Sequence, residues 1–488
     1  MDELIIFNDN SDIMKKEIVI TLLSLFVIKD IYAQSGNPKF SLKECIEQAL
    51  NNNLPVKQAE LVVESSEVNY KQAKTNLLPD LNGSIGYGFN QGRTVDPITN
   101  GYINQHLASS NAGLNSGVIL FNGLRLQNII KQNRYTYEAS KMDWQQVKDN
   151  LTLNVILAYL RVLSSEDALI IARGQLEVTK KQVERMDVLV KEGSVGSYQL
   201  TDLRGGQANE ELSIIDLENS LQQSRLVLSQ LMNIDYNPNM ELIRTDTDSL
   251  ITNYPMSSTE VIASSFQNLS VVKANDLRIR SAERGVKAAS GGFYPTISFN
   301  ANLGSSYSSL ARSLSATNQT EISTGDYVIV NGSQNPVLRK QQNYNAEKIG
   351  YAKQLNNNLG TFAGINVSIP LFNGFYAKNQ LKLARINLKS SELESGNVRL
   401  QLKQNIEQEW LNMNSAFSQY EILLKQEKDF AESFRSAEIR FDNGVINSYE
   451  FLLAKNYLDK ARINLSKIKY DYIFRTKLLD FYAGKQLW

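Results

Sequence analysis

The chain repeats itself, and that duplication limits its fold more than any other feature of the sequence. At an offset of 216 residues, Ser41 and Glu44 match Ser257 and Glu260, Val56 and Lys57 match Val272 and Lys273, and Lys71 and Pro79 match Lys287 and Pro295. At an offset of 251, Leu120-Phe121-Asn122-Gly123 matches Leu371-Phe372-Asn373-Gly374. That offset holds to Gly193/Gly444 and Ser197-Tyr198/Ser448-Tyr449. The 35-residue difference is one insertion, between about 308 and 358. Whatever one half folds into, the other must also fold into. Structural repeats are expected at 40–232 and 259–484. They are joined by a linker at 233–258, whose Asn, Asp and Pro suit a loop.

Each copy reads helix, two strands, very long helix, tight turn, helix. Ser41/Glu44 and Ser257/Glu260 are capping boxes that open helices, and Pro79 and Pro295 end those first helices. The period then changes to two, with strands expected near 80–90, 109–121, 296–307 and 361–372. Leu81, Ile85, Tyr87 and Phe89 alternate with Asn82, Ser84, Gly86, Gly88 and Asn90; Ile297, Phe299, Ala301 and Leu303 alternate with Ser298, Asn300 and Asn302. On the returning strands Ala112, Leu114, Val118 and Leu120 share one face, as do Ala363, Ile365, Val367, Ile369 and Leu371. Strands that are apolar on one face and small or polar on the other fit a transmembrane barrel with a wet lumen. A water-facing antiparallel sheet on a soluble core alternates in the same way. Four strands cannot close a barrel, and open edges are forbidden in lipid. On the barrel reading the chain must oligomerise: a dimer would give eight strands and a filled interior, a trimer twelve and a lumen.

The segments after the strands are the second signal. From Phe121 to Gly193, and from Phe372 to Gly444, no proline occurs, and 72 helical residues span about 108 Å. Leu402, Ile406, Trp410, Met413, Phe417, Tyr420 and Leu424 recur at threes and fours, with Leu151, Val155, Tyr159 and Val162 at the equivalent places in the first copy. This is bundle or coiled-coil packing, and the interspersed Lys, Glu, Gln and Arg read as a solvated face.

The beginning of the chain reads as a targeting segment. Lys15 and Lys16 precede an apolar run from Ile18 to Ile28, and Ala33 precedes Gln34. A basic head, a short apolar stretch and a small residue at the cut make a secretory signal at 14–33. Residues 1–13 carry Asp2, Glu3, Asp9 and Asp12, so synthesis is expected to start at Met14, with 1–13 a non-native extension. The plainer alternative is a buried N-terminal helix.

Composition narrows the chemistry. The 51 basic side chains balance the 51 acidic ones, which gives no electrostatic reason to expect a nucleic acid as partner. With Cys45 and His106 the only residues of their kinds, an intrachain disulfide and Cys- or His-based metal sites are not expected. Gly86, Gly88 and Gly92 lack the following helix that a phosphate loop needs. Neither a cofactor nor catalysis is expected.

The duplicated plan, the two LFNG strand-to-helix junctions and the Gly-x-x-x-Ser turns occur together. In that combination the chain resembles the TolC-type outer-membrane efflux proteins over about 40–484. The stretch FDNGVINSYEFLLAKNYLDKARINLSKIKYDYI is the most specific part, and VKEGSVGSYQLTDLRGGQANEEL the next. The resemblance implies a mainly α fold with a membrane β-barrel portion, in which a homotrimer forms a twelve-stranded barrel on a periplasmic α-helical tunnel. It implies a passive exit duct of a tripartite efflux or type I secretion system, docked to a periplasmic adaptor (membrane-fusion) protein and an inner-membrane transporter.

Carried over, the adaptor-docking tips would be Gly193, Ser194, Val195, Gly196 and Ser197, with Gly444, Val445, Ile446, Asn447 and Ser448. Tight turns between antiparallel helices need Gly and expose backbone groups for end-on contact. The plainer reading is that Gly193 and Gly444 simply end helices. The family's acidic entrance would fall to Glu184, Asp187, Glu192, Glu438 and Asp442, which also read as a solvated surface. The rival to a channel is a secreted trimeric coiled-coil scaffold, which explains the helices but leaves the four strands idle.

Overall fold

The computed structural model describes residues 39–95, 100–104, 106–244 and 251–485. The expected leader at 14–33 and the extension at 1–13 lie outside the described residues. In chain order the elements are β1 (Lys39–Phe40), α1 (Leu42–Asn52), α2 (Leu54–Thr75), β2 (Asn82–Asn90), β3 (Arg93–Val95), β4 (Tyr102–Asn104), β5 (Leu107–Phe121), α3 (Arg125–Lys191) and α4 (Ser197–Met232). The second half continues with β6 (Glu241–Leu242), α5 (Ser258–Asn268), α6 (Ser270–Ser290), β7 (Thr296–Ser308), β8 (Arg312–Val330), β9 (Ser333–Lys348), α7 (Tyr351–Asn357), β10 (Gly360–Ser368), α8 (Tyr376–Asp442) and α9 (Ser448–Tyr482). The described residues form two compact units, each drawing on both halves: one from within 61–142 and 273–397, the other from within 39–60, 143–272 and 398–485. Among the described residues no helix is long and apolar enough to cross a membrane.

In the first of these units the four main strands form one antiparallel sheet in the order β10-β7-β5-β2. Its register aligns the alternation seen in the sequence. Ile365 faces Phe299, which faces Val118; Thr361 faces Leu303, which faces Leu114. On the opposite face Asn302 lies between Phe362 and Asn115, and Asn115 also faces Asn82. The apolar face is bare: Ile85 is 85% and Ile365 66% exposed.

Two expectations need correction here. The ladder slips between Ile119 and Phe121, so Leu120 is a bulge residue, and Phe121 faces Ile297 in its place. The last strand ends at Ser368 rather than near 372; Pro370 cannot donate to a ladder, and Ile369 and Leu371 fall outside the strand. The insertion is a β8–β9 hairpin closed by Asn331 and Gly332, both at positive φ. Its base is pinned by Gln354 of α7, whose buried amide bonds Ser308 at both its N–H and its carbonyl.

The LFNG segments turn strand into helix through paired positive-φ residues, Gly123 with Leu124 and Gly374 with Phe375. A side chain at Gly123 would fall 2.7 Å from the Gly291 carbonyl oxygen, so glycine is needed there for space as well as conformation.

The other unit is helical. Ser41 and Ser257 each make the full capping box with Glu44 and Glu260. The first helix of each copy is in fact two, α1/α2 broken at Asn53 and α5/α6 broken at Leu269. Leu151, Val155, Tyr159 and Val162 of α3 pack with Leu221 and Leu228 of α4, Tyr470 and Ile473 of α9, and Cys45 and Ile46 of α1. Burial pushes the Cys45 thiol up to about 12, so it is a packing residue. A second cluster joins Leu402, Ile406 and Met413 of α8 to Tyr472 and Leu479 of α9. Leu424, expected in that stripe, is exposed instead.

The segment 233–258 is more than a loop where it is described. Met240 is fully buried, β6 pairs in parallel with β1, and Arg244 holds Asp167 at 2.6 Å. The hydroxyl of buried Tyr159 reaches the carbonyls of Phe40 and Ile243, at 3.2 and 2.5 Å. The second half mirrors this, with Tyr472 donating to Thr252 and Trp410 to Met256.

Candidate functional site at the helix tips

Both long helices end in the same motif. The Gly193 N–H donates to the Val190 carbonyl and the Ser194 N–H to Leu189; in the second half Gly444 donates to Phe441 and Val445 to Arg440. With Gly193 and Gly444 at φ of 73° and 70°, these are Schellman caps. The returning helices start differently. Asn447 caps α9 by accepting from the Glu450 N–H at 2.9 Å, whereas Gly196 offers α4 no side-chain cap.

Beneath the turns lies a cluster of Met186, Leu200, Leu203, Phe441, Ile446 and Phe451. It divides the expected contact residues. Gly193, Ser194, Gly196, Ser197, Gly444, Val445 and Asn447 are exposed, Val195 is half-buried, and Ile446 and Ser448 are buried. The matched serines therefore differ: Ser197 is open to solvent, while Ser448 donates to Asp202 of α4 at 3.0 Å.

The acidic candidates also separate. Asp442 joins the two halves, ion-paired to Arg185 of α3 and accepting from Gln182 at 3.3 Å. Asp187 is paired with Lys191 at 2.6 Å and Arg204 at 3.1 Å, and the Lys191 ammonium holds its carboxyl below the usual range. Glu184 and Glu192 are exposed and Glu438 half-exposed. Among the described residues, Asp442 and Asp187 are thus the two of these acids tied to neighbouring helices, through Arg185, Gln182 and Arg204. Those partners were missed in the sequence because each lies on a different helix from the acid or reads as solvated. Among the described residues no group of His, Cys, Asp and Glu could hold a metal ion.

The description "Outer membrane efflux protein" is that of a family whose model matches residues 45–233 and 262–485, one match in each half. The chain belongs to the outer membrane efflux protein family. It is 21% identical over 456 residues to outer membrane protein TolC of Salmonella enteritidis, covering 91% of this chain and 82% of that one. In structure it is similar to the channel-forming protein CusC, with TM-score 0.73, 17% identity and 93% and 96% of the two chains covered. It is also similar to the outer membrane protein VceC of Vibrio cholerae, with TM-score 0.72, 14% identity and 92% and 97% covered. As a member of the outer membrane efflux family, the chain is an outer-membrane exit channel for an efflux system.

Proposed function

We propose that three copies close their sheets into one twelve-stranded barrel, and that the α-helical tips dock end-on to a periplasmic adaptor serving an inner-membrane transporter. The carrying observation is the sheet's two free edges. Among the described residues β2 pairs with β5 alone and β10 with β7 alone, while one face presents bare Ile85, Phe89, Ile365 and Val367. Such a face suits lipid, and lipid tolerates no unpaired edge. The strand directions agree: β2 and β10 run oppositely, so β10 of one copy meets β2 of the next in an antiparallel ladder. Twelve strands enclose a wet lumen, lined here by Asn82, Asn115, Asn302 and Asn366.

The remaining assignments belong to the same reading. Residues 14–33 are a cleaved leader, 40–232 and 259–484 are the repeats, and cargo passes passively in a tripartite efflux or type I secretion complex. Exposed Ser194, Gly196, Ser197, Val445 and Asn447 offer the adaptor a small, convex surface. Glu184, Asp187, Glu192, Glu438 and Asp442 form the acidic entrance.

The test is oxidative crosslinking of outer-membrane protein carrying cysteines on both edge strands, at Ser84 and Asn366. A ladder ending at three chains is expected. Bands no larger than one chain would overturn the closed ring.

A further inference from the structure

Two turns into α9 from the second tip, Lys455 is only 2% exposed. Its ammonium lies 2.6 Å from Glu210 of α4 and 3.1 Å from Asp459, one turn further along α9. The Thr179 hydroxyl of α3 donates to the same Glu210 oxygen at 2.9 Å. The second Glu210 oxygen is buried with no partner among the described residues. A lysine expected on a solvated face is thus an interior charge joining three helices.

One ammonium faces two carboxylates, which leaves a surplus negative charge in a poorly solvated site when both are ionised. Burial is the largest influence on Asp459 and lifts its carboxyl to about 6, against the pull of Lys455. Glu210 raises it further and Arg462 lowers it. Arg462 is held in turn by Glu427 of α8 at 2.9 Å. The contribution of α3 is neutral Thr179, and α4 brings Glu210.

The cluster also sits where the two tips are joined. α4 and α9 leave the tips side by side. Ser448 bonds Asp202, and Gly206 packs so closely on Leu452 that a side chain there would approach to 3.0 Å. The Lys455 cluster is the next contact along the same pair of helices.

We propose that the Thr179–Glu210–Lys455–Asp459 cluster is a proton-responsive clasp between α4 and α9 that sets how closely the two tips are held. Uptake of one proton removes the surplus charge and leaves a matched Lys455–Glu210 pair. Lys455 is a positioning residue, acting on the tips through the helices it joins. The clasp rests on the docking reading only in so far as the tips are the surface it governs. The sign follows from burial. The neutral form of Asp459 is favoured in the fold, so its contribution is full at low pH and is lost as pH rises through about 6.

The test uses the full-length assembly in nanodiscs, spin-labelled at Tyr198→Cys and Tyr449→Cys, one exposed position on each tip. Labelled chains are diluted with unlabelled ones. The inter-tip distance distribution should narrow on acidification, with a midpoint near the Asp459 value of about 6. Asp459→Asn should be narrow and insensitive to pH, and Lys455→Met broad throughout. If wild type is insensitive, or Asp459→Asn keeps the wild-type response, the clasp is wrong. Photocrosslinking to the adaptor from Val445 reads docking separately. A pH-dependent distance without adaptor contact would leave the clasp standing and remove the docking reading.

Discussion

Ser448 donates its hydroxyl hydrogen bond to Asp202 over 3.0 Å, tying the first turn of α9 to the second turn of α4. The matching serine of the other repeat, Ser197, is exposed. The two positions should therefore respond differently. Ser448→Ala should cost about 1 kcal/mol, and Ser448→Arg should lower the melting temperature sharply by breaking the packing under the tips. Ser197→Arg should melt like wild type yet lose export. Equal thermal stability of the two arginine variants, measured on purified assemblies, would contradict the packing described.

The sheet register makes a second pair of substitutions informative. Ile365 lies on the apolar face opposite Phe299, and Asn366 on the other face opposite Ser298. Ile365→Arg should cost about 2–4 kcal/mol at mid-bilayer depth, while Asn366→Arg should assemble normally. Heat-modifiable gel migration reads both, and equal tolerance would refute lipid contact at Ile365.

The two strand-to-helix junctions share a backbone conformation but differ in their surroundings. Alanine at either glycine meets a left-handed conformation costing about 1–2 kcal/mol. At Gly374 its side chain meets open space, whereas at Gly123 it meets the Gly291 carbonyl at 2.7 Å. Gly374→Ala should lose little more than the conformational cost. Gly123→Ala should lose considerably more, as judged by denaturant midpoints.

Acid should loosen two particular helix ends. Backbone and side-chain hydrogen bonds with Ser41 hold the Glu44 carboxyl below its ordinary value, and Ser257 does the same for Glu260. A depressed carboxylate contributes stability above its unfolded value and loses it as pH falls through the folded one. Exchange-rate ratios normalised for intrinsic chemistry should show the first turns of α1 and α5 opening on acidification below the usual glutamate range. Glu44→Gln, which takes away the titrating carboxylate, should remove that response at α1 and keep it at α5.

Much of this architecture can be read from the residues. The alternation around Ile365 and Asn366 and the capping boxes of Ser41 and Ser257 are local patterns, and local patterns survive folding. The bulge at Leu120 is different, because an unbroken apolar run from Val118 to Phe121 carries no mark of where the ladder slips. Ser197 and Ser448 look equivalent because their own neighbourhoods match; what separates them is Asp202, 246 residues from Ser448 in sequence, which accepts the Ser448 hydroxyl. Lys455 reads as solvated because its partner Glu210 lies 245 residues away, where helical periodicity cannot reach.

The even number of strands in the sheet has a consequence for how many copies can assemble. A chain that starts its sheet on an outward strand and ends it on an inward one presents complementary edges to any identical neighbour. Rings of two, three or four copies would all close without a parallel seam. Backbone pairing therefore enforces closure but is indifferent to stoichiometry. The selection among ring sizes passes to the side chains that meet between neighbouring copies. On the closed-barrel proposal, the exposed apolar residues of the long helices, such as Leu411, Ile422 and Leu424, are what is left to do the counting.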